Sequence, residues 1–176
     1  MTGTENSAST ETLSQERRDL LEALRTQRYF LKFTAQGLTD EQARLTPTAS
    51  ALSVGGLIKH VAATTQGWYD FATGAPDAMA GGENAEADFA DSFILRADQS
   101  LADVLAQFDA VAARIDELAA TADLDVAYPL PPAPWFPPGA VRSVRRVLIH
   151  LVGETAQHAG HADIIRETID GQKTMG

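Results

Sequence analysis

The stretch from His150 to His161 carries three histidines and one glutamate whose side chains could bind a metal ion. They follow one another at steps of four, four and three residues, as His150, Glu154, His158 and His161. At about 100° per residue of an α-helix, the four side chains fall within an arc of roughly 80° and form one polar stripe. Imidazole and carboxylate are both good ligands for divalent metal ions.

This polar stripe lies on the side of its helix that should be buried. Val147, Leu151 and Ile165 fall in the same arc, so an amphipathic helix would turn the stripe towards the core. A buried imidazole or carboxylate needs a partner, because losing contact with water otherwise costs free energy. A divalent metal ion would offset that cost, and the pattern therefore predicts a metal site.

His60, the one histidine outside the stripe, offers a further ligand from a second helix. It shares its predicted helix face with Trp68 and Phe71, so its ring should also point inward. A single inward histidine is more often hydrogen-bonded to a backbone carbonyl than bound to metal. Here all four histidines lie on predicted buried faces, and Glu154 and His158, four residues apart, can hold one ion between them.

We therefore predict a metal site made of His60, Glu154 and His158. Two histidines and a carboxylate, with a fourth position open, are typical of catalytic zinc sites, and iron, nickel or manganese would suit the same ligands. His161, about one turn beyond His158, could orient a ligand, shuttle a proton or serve as an alternative ligand, and we favour the first. For His150 we favour a polar core residue near the end of the bundle.

Four long helices are expected to position these side chains. The predicted helices run over residues 14–35, from Ser53 to near Gly74, from Ser100 through Leu118, and from Ser143 to Asp170 with Gly171 as a stop. Serine is a favoured N-cap residue, and glycine is favoured just after the end of a helix. The run from Thr39 to Gln42 has the form of a capping box, which predicts a short helical turn. The sequence thus predicts an all-α protein, an antiparallel four-helix bundle with long crossover connections, and such bundles build metal sites from facing helices.

The connections between the predicted helices differ in character. Residues 76–91 are small, acidic and glycine-containing, which favours a mobile surface loop, and residues 93–95 suggest a short extended piece. Residues 124–141 hold six prolines. Proline disrupts helices and central strands, so we expect an irregular, semi-rigid connection across the end of the bundle.

Three aromatic residues and one arginine are candidates for binding a cofactor or substrate. Trp68, Trp135 and Phe136 could form the wall of a pocket, although for Trp68 we favour plain core packing. Three arginines lie within residues 142–146, at the start of the fourth helix, where positive charge does not favour the helix dipole. A carboxylate-bearing ligand or a solvated face would account for them, and Arg146 is the candidate for binding.

Composition limits the classes of function. The chain of 176 residues should form one domain over residues 14–176, after a polar tail at residues 1–13 that we expect to be disordered. With 24 acidic against 14 basic residues, the net charge of -10 argues against nucleic acid as a partner. The sequence shows neither a secretory signal nor a transmembrane stretch, so we expect a cytoplasmic protein without a membrane partner. Cysteine is absent, so any thiol chemistry requires a thiol cofactor.

Most of residues 14–171 resembles the DinB-like or YfiT-like metal-binding bundles. The resemblance rests on His60, on the run Val-Leu-Ile-His150-Leu-Val-Gly-Glu154-Thr-Ala-Gln-His158, and on the spacing of roughly ninety residues between the two parts. In most of that superfamily the last two ligands are histidines. Glu154 stands in place of the first of them, which is similar to the branch containing mycothiol-dependent maleylpyruvate isomerase, where a glutamate takes this position. The resemblance implies His60, Glu154 and His158 as ligands.

The same resemblance implies a function. It points to a thiol S-transferase in which the metal activates a low-molecular-weight thiol such as mycothiol for attack on an electrophilic small molecule. A homodimer is the assembly we expect. Isomerase-like members carry an additional C-terminal domain, and this sequence ends five residues after Gly171, so we do not expect maleylpyruvate isomerisation. The alternatives are metal-dependent hydrolysis, with His161 as base, and a non-enzymatic metal-stabilised binding module in the form of a homodimer.

Overall fold

The computed structural model describes residues 13–75, 84–132 and 136–174. Its elements are α1 (Gln15–Phe33), α2 (Asp40–Ala43), α3 (Val54–Ala72), α4 (Ala85–Ser92), α5 (Leu101–Thr121), β1 (Ala127–Pro129), β2 (Val141–Ser143) and α6 (Val144–Asp170). The four long helices α1, α3, α5 and α6 form a bundle, which confirms the all-α prediction. Residues 1–12, the greater part of the predicted tail, lie outside the described ranges.

The helices begin and end where their capping residues predict. Each long helix starts after a serine whose hydroxyl accepts a hydrogen bond from a backbone N–H three residues later: Ser14, Ser53, Ser100 and Ser143. Thr39 and Gln42 complete the capping box of α2. Gly171 ends α6 at a φ of 80°, a left-handed conformation that glycine adopts without the penalty of a Cβ.

In the bundle, α1 and α3 each pack against both α5 and α6. The antiparallel arrangement holds for α1 with α5, where Arg28 donates to the Ala112 carbonyl at 2.8 Å, and for α3 with α6. The α1 and α6 helices run parallel, since Arg145 bonds Glu16 at their beginnings and Arg166 bonds the Thr34 carbonyl at their ends. Because α3 is antiparallel to α6 and α5 is antiparallel to α1, α3 and α5 run parallel as well.

The connection between α3 and α5 contains a helix that the sequence analysis did not predict. Residues 85–92 form α4, so the expectation of a loop as far as residue 91 is wrong there, while residues 76–83 lie outside the described ranges. Alanines and acidic residues in the first turn favour this helix. Phe93 caps α4, and residues 93–95 form no strand.

The proline-rich connection is more regular than expected. Its two ends pair as the antiparallel strands β1 and β2, so the expectation of a wholly irregular segment is wrong for these residues. Pro129 occupies the last position of β1. In a two-stranded sheet both strands are edge strands, which tolerate a residue that cannot donate a backbone hydrogen bond. Tyr128 of β1 packs edge-on against Phe71, so the strands lie against the end of α3.

Among the described helices, none has both the length and the apolar character needed to cross a membrane.

Candidate metal centre

Two facing helices bring His60, Glu154 and His158 together. His60 lies in the middle of α3, and Glu154 and His158 lie one turn apart on α6. The Oε1 atom of Glu154 is 3.3 Å from Nε2 of His60 and 3.1 Å from Nε2 of His158. One potential ligand atom from each residue lies within 4.8 Å of the others, so these three side chains could hold a single metal ion.

The spacing of these donors suits zinc. With metal–ligand bonds of about 2.0 to 2.2 Å, neighbouring ligand atoms around a tetrahedral ion are separated by roughly 3.4 Å. The two measured separations from Glu154 Oε1, 3.3 and 3.1 Å, are close to this value. Three protein ligands leave a fourth position for water or a substrate, which is the composition of a catalytic site.

Glu154 is held in the charged form that a metal ligand requires. Its hydrogen bond with His158, followed by that with His60, holds the pKa of the carboxyl well below its usual range, although burial acts in the opposite direction. The two imidazoles therefore stabilise the negative charge of Glu154, the charge that a bound ion would also stabilise. The side chains of Glu154 and His158 are 18% and 12% exposed, against 4% for His60, so solvent reaches the centre from the side of α6.

His60 is oriented by residues that the sequence analysis missed. Its Nδ1 lies 2.8 Å from Ser92 Oγ, and that hydroxyl donates to the Phe89 carbonyl at 2.6 Å. Because the serine proton is used in this way, Ser92 is the acceptor for a proton on Nδ1 of His60. An ion bound between His60 and Glu154 would replace the Nε2 hydrogen bond to the carboxylate and take the Nε2 lone pair. Phe93 stacks on the imidazole with ring centroids 3.7 Å apart.

No pattern in the sequence connects Ser92 with His60. The two residues are 32 positions apart, and Ser92 stands at the end of a short helix within a segment that reads as a loop. Only the path of the crossover places the hydroxyl next to the imidazole. Partners of this kind fix the ring orientation and tautomer of metal-binding histidines.

Ser92→Ala is expected to lower zinc affinity by about 10- to 100-fold while leaving the helical fold intact. The variant removes the acceptor for the Nδ1 proton of His60, so the imidazole loses its fixed tautomer. Competition with a chromogenic chelator measures the affinity, and nitrogen NMR of the imidazole reports the tautomer. Unchanged affinity with an unchanged His60 tautomer would show that Ser92 does not orient the ligand.

His161 lies beside the three clustered residues. Its ring centroid is 5.6 Å from that of His158, and its buried Nδ1 has no hydrogen-bond partner among the described residues. It is not a member of the three-residue cluster, which agrees with a position next to the ligands. Its role in moving a proton stays a prediction.

His150 belongs to a second cluster, farther along the interface of α3 and α6. Its ring packs edge-on against Trp68 with centroids 4.9 Å apart, and burial, followed by the charge of Arg142, lowers the pKa of His150. The guanidinium of Arg142 lies 4.8 Å from the ring centroid of Trp68 and 5.4 Å from that of Phe136. Two of the predicted pocket aromatics, Trp68 and Phe136, therefore meet at Arg142, whereas the sequence analysis named Arg146 as the binding arginine.

The remaining predicted binding residues are placed differently. Arg146 is exposed on the first turn of α6, one turn before His150. Trp68 is buried, with only 5% of its surface exposed, so it packs in the core and also contacts this second cluster. Trp135 lies outside the described residues.

Comparisons with known proteins bear on the fold and the family of this chain. A search of the curated proteins returns no match. Among solved structures, a conserved protein from Enterococcus faecalis matches with a TM-score of 0.58 at 16% sequence identity, over 88% of this chain and 97% of that one, and supports the fold. The model of the mycothiol-S-transferase family matches residues 19–171, which include both bundle helices of the metal centre. The chain therefore belongs to the mycothiol-S-transferase family.

Proposed function

We propose that this protein is a metal-dependent thiol S-transferase in which His60, Glu154 and His158 hold a divalent metal ion, with zinc as the first expectation. The convergence of these three donors on one point, with solvent access from the side of α6, is the observation that carries the proposal. The family to which the chain belongs supports a low-molecular-weight thiol such as mycothiol as the donor.

The proposed reaction joins the thiol sulfur to an electrophilic carbon of a small molecule. A bound divalent ion supplies the activation, because a thiol that coordinates it loses its proton at neutral pH. The sulfur then forms a bond to carbon and the leaving group departs with its electron pair. The chain has no cysteine, so it offers no thiol of its own for this chemistry.

The residues around the centre divide the remaining tasks. Ser92 and Phe93 hold the His60 ring in place on the side of α4. The partly exposed edges of Glu154 and His158 form the side from which both reactants can approach. His161, next to His158, is our candidate for accepting the thiol proton. We expect the enzyme to be cytoplasmic, to act on small molecules and to form a homodimer.

Cobalt substitution tests this proposal directly. Adding mycothiol to the cobalt-loaded protein should produce a new sulfur-to-cobalt charge-transfer band, because the thiolate enters the open position. The same preparation should accelerate consumption of the thiol by a reactive electrophile such as monochlorobimane. Treatment with EDTA should abolish both effects.

The same measurements separate the alternatives. If mycothiol leaves the cobalt spectrum unchanged, the transferase proposal is wrong, and hydrolysis of small-molecule esters or amides by the zinc-loaded protein becomes the test of the hydrolase prediction. If EDTA also unfolds the protein and no reaction is found, the metal serves the fold, as in a metal-stabilised binding module.

A further inference from the structure

The arginines of this acidic chain reveal a second site at the start of α6. All of them lie in the described ranges, and all but Arg142 and Arg146 donate a guanidinium hydrogen bond to a carboxylate, a side-chain amide or a backbone carbonyl. Arg146 is exposed, so water can solvate it, whereas Arg142 is only partly exposed and lies close enough to feel the charge of Arg146. Arg142 is therefore the arginine whose missing partner requires an explanation.

Arg142 is held in place without an acceptor for its buried nitrogen. Its Nη1 is buried and has no hydrogen-bond partner among the described residues. The guanidinium plane is fixed by the rings of Trp68 and Phe136, and burial, followed by the charge of Arg146, lowers the pKa of Arg142. A buried donor without an acceptor is costly, and a second cation nearby adds to the cost.

Arg145 shows that the positive charges at the start of α6 do not all point freely into solvent. It stands next to Arg146, and its guanidinium donates to both Glu16 and Asp125. The acidic side chains of the neighbourhood thus bind Arg145, and no carboxylate of the described residues pairs with Arg142 or Arg146. An external anion would give the buried nitrogen of Arg142 an acceptor and would be attracted by the charge of Arg146.

The second site lies on the same helix interface as the metal centre. The rings of His60 and His158 are 5.0 Å apart, and those of Trp68 and His150 are 4.9 Å apart, so the two antiparallel helices continue in register from one site to the other. One to two helical turns separate Glu154 from His150 and Arg146, a distance of about 6 to 12 Å along α6. This distance is within the length of a small molecule.

We infer that Arg142 and Arg146 form an anion-binding subsite that takes a carboxylate of one of the two reactants while the reaction takes place at the metal centre. The inference rests on the proposed function for the identity of the ligand, and the subsite itself rests on the unpaired guanidinium groups. Arginine presents paired N–H donors that match a carboxylate, and Trp68 and Phe136 offer apolar surface to the part that carries it.

Binding of an unreactive probe tests the subsite without thiol chemistry. The zinc-loaded protein is titrated with 4-methylbenzoate and with its neutral analogue 4-methylbenzamide, by calorimetry and by tryptophan fluorescence. The acid should bind more tightly than the amide. Arg142→Gln should weaken binding of the acid by about 10- to 100-fold and leave that of the amide unchanged, because a hydrogen bond to a charged group is lost. Arg146→Gln should have a smaller effect in the same direction.

Arg145→Gln is the matched control, since it removes the same charge three residues further along the chain but from an arginine that is already paired. It should leave binding of the acid unchanged. The inference is wrong if the acid binds no better than the amide, if Arg142→Gln weakens both equally, or if Arg145→Gln has the effect of Arg142→Gln. Because no thiol is present, these results are independent of the cobalt experiment.

Two reactive pairs identify which reactant carries the carboxylate. Transfer of mycothiol to 4-(chloromethyl)benzoate is compared with transfer to 4-(chloromethyl)benzamide, and binding of 6-mercaptohexanoate to the cobalt protein is compared with that of 6-mercaptohexanamide. A preference for the acid that is lost in Arg142→Gln assigns the carboxylate to the electrophile in the first pair and to the thiol in the second. If neither pair shows a preference, the subsite has no part in the reaction and the inference is overturned.

Discussion

Replacing His60, Glu154 or His158 by alanine is expected to lower zinc affinity by about a thousandfold in each case. Protein sites hold zinc with apparent binding free energies of about 10 to 16 kcal/mol, and each tenfold change in affinity corresponds to about 1.4 kcal/mol. Losing one of three protein ligands removes roughly a third of that free energy. Chelator competition and elemental analysis of the purified variants measure the loss.

His161→Ala is the comparison variant for this experiment. It removes an imidazole from the same helix, next to His158, but not one of the three clustered donors. We expect this variant to keep stoichiometric zinc and to have reduced transferase activity. Loss of zinc from His161→Ala, together with retention of zinc by Glu154→Ala, would reverse the roles that we propose for these residues.

Gly56→Ala is expected to destabilise the protein by about 3 kcal/mol, which corresponds to a fall in Tm of about 6 to 12 °C. A Cβ at Gly56 would overlap the carbonyl oxygen of Phe93 and lie 2.7 Å from its carbonyl carbon. These two nearest atoms are backbone, so no side-chain rotation relieves the overlap, and the segment at Phe93 must move away from α3. The third contact, at 2.9 Å, is Oγ of Ser53, which caps α3. Thermal and urea unfolding measure the change.

The same variant should also weaken zinc binding, because Phe93 stacks on His60 and the preceding residue, Ser92, bonds its Nδ1. Gly67→Ala, in the same helix, is the matched control: a Cβ there has no neighbour within 4 Å. Because alanine favours helix over glycine, this control should gain about 0.5 to 1 kcal/mol. Equal stability of the two variants would show that the Phe93 segment yields without cost.

Much of the fold follows from local patterns in the sequence. The serine caps, Gly171 and the apolar periodicity predict the four long helices, because these signals act within one or two turns of the chain. Two adjacent glycines at positions 55 and 56, early in α3, were a signal of close backbone approach that the helix periodicity obscured. The short helix α4 was missed because its eight residues bury no apolar face.

The composition of the candidate metal centre was also accessible from the sequence. Glu154 and His158 are one turn apart on one helix, so local geometry alone makes them neighbours, and His60 is the only histidine on another helix. The sequence by itself thus determined the four long helices and the three residues that converge. It could do so because both depend on spacing along single helices and on which face is apolar.

Only the tertiary structure decided what surrounds these residues. Ser92 and Phe93 reach His60 because the crossover folds back over α3, and Arg145 is paired while Arg142 is not because Glu16 and Asp125 come from other elements. These contacts join residues that are 20 to 129 positions apart. Such contacts depend on the path of connecting segments, which no short-range periodicity specifies.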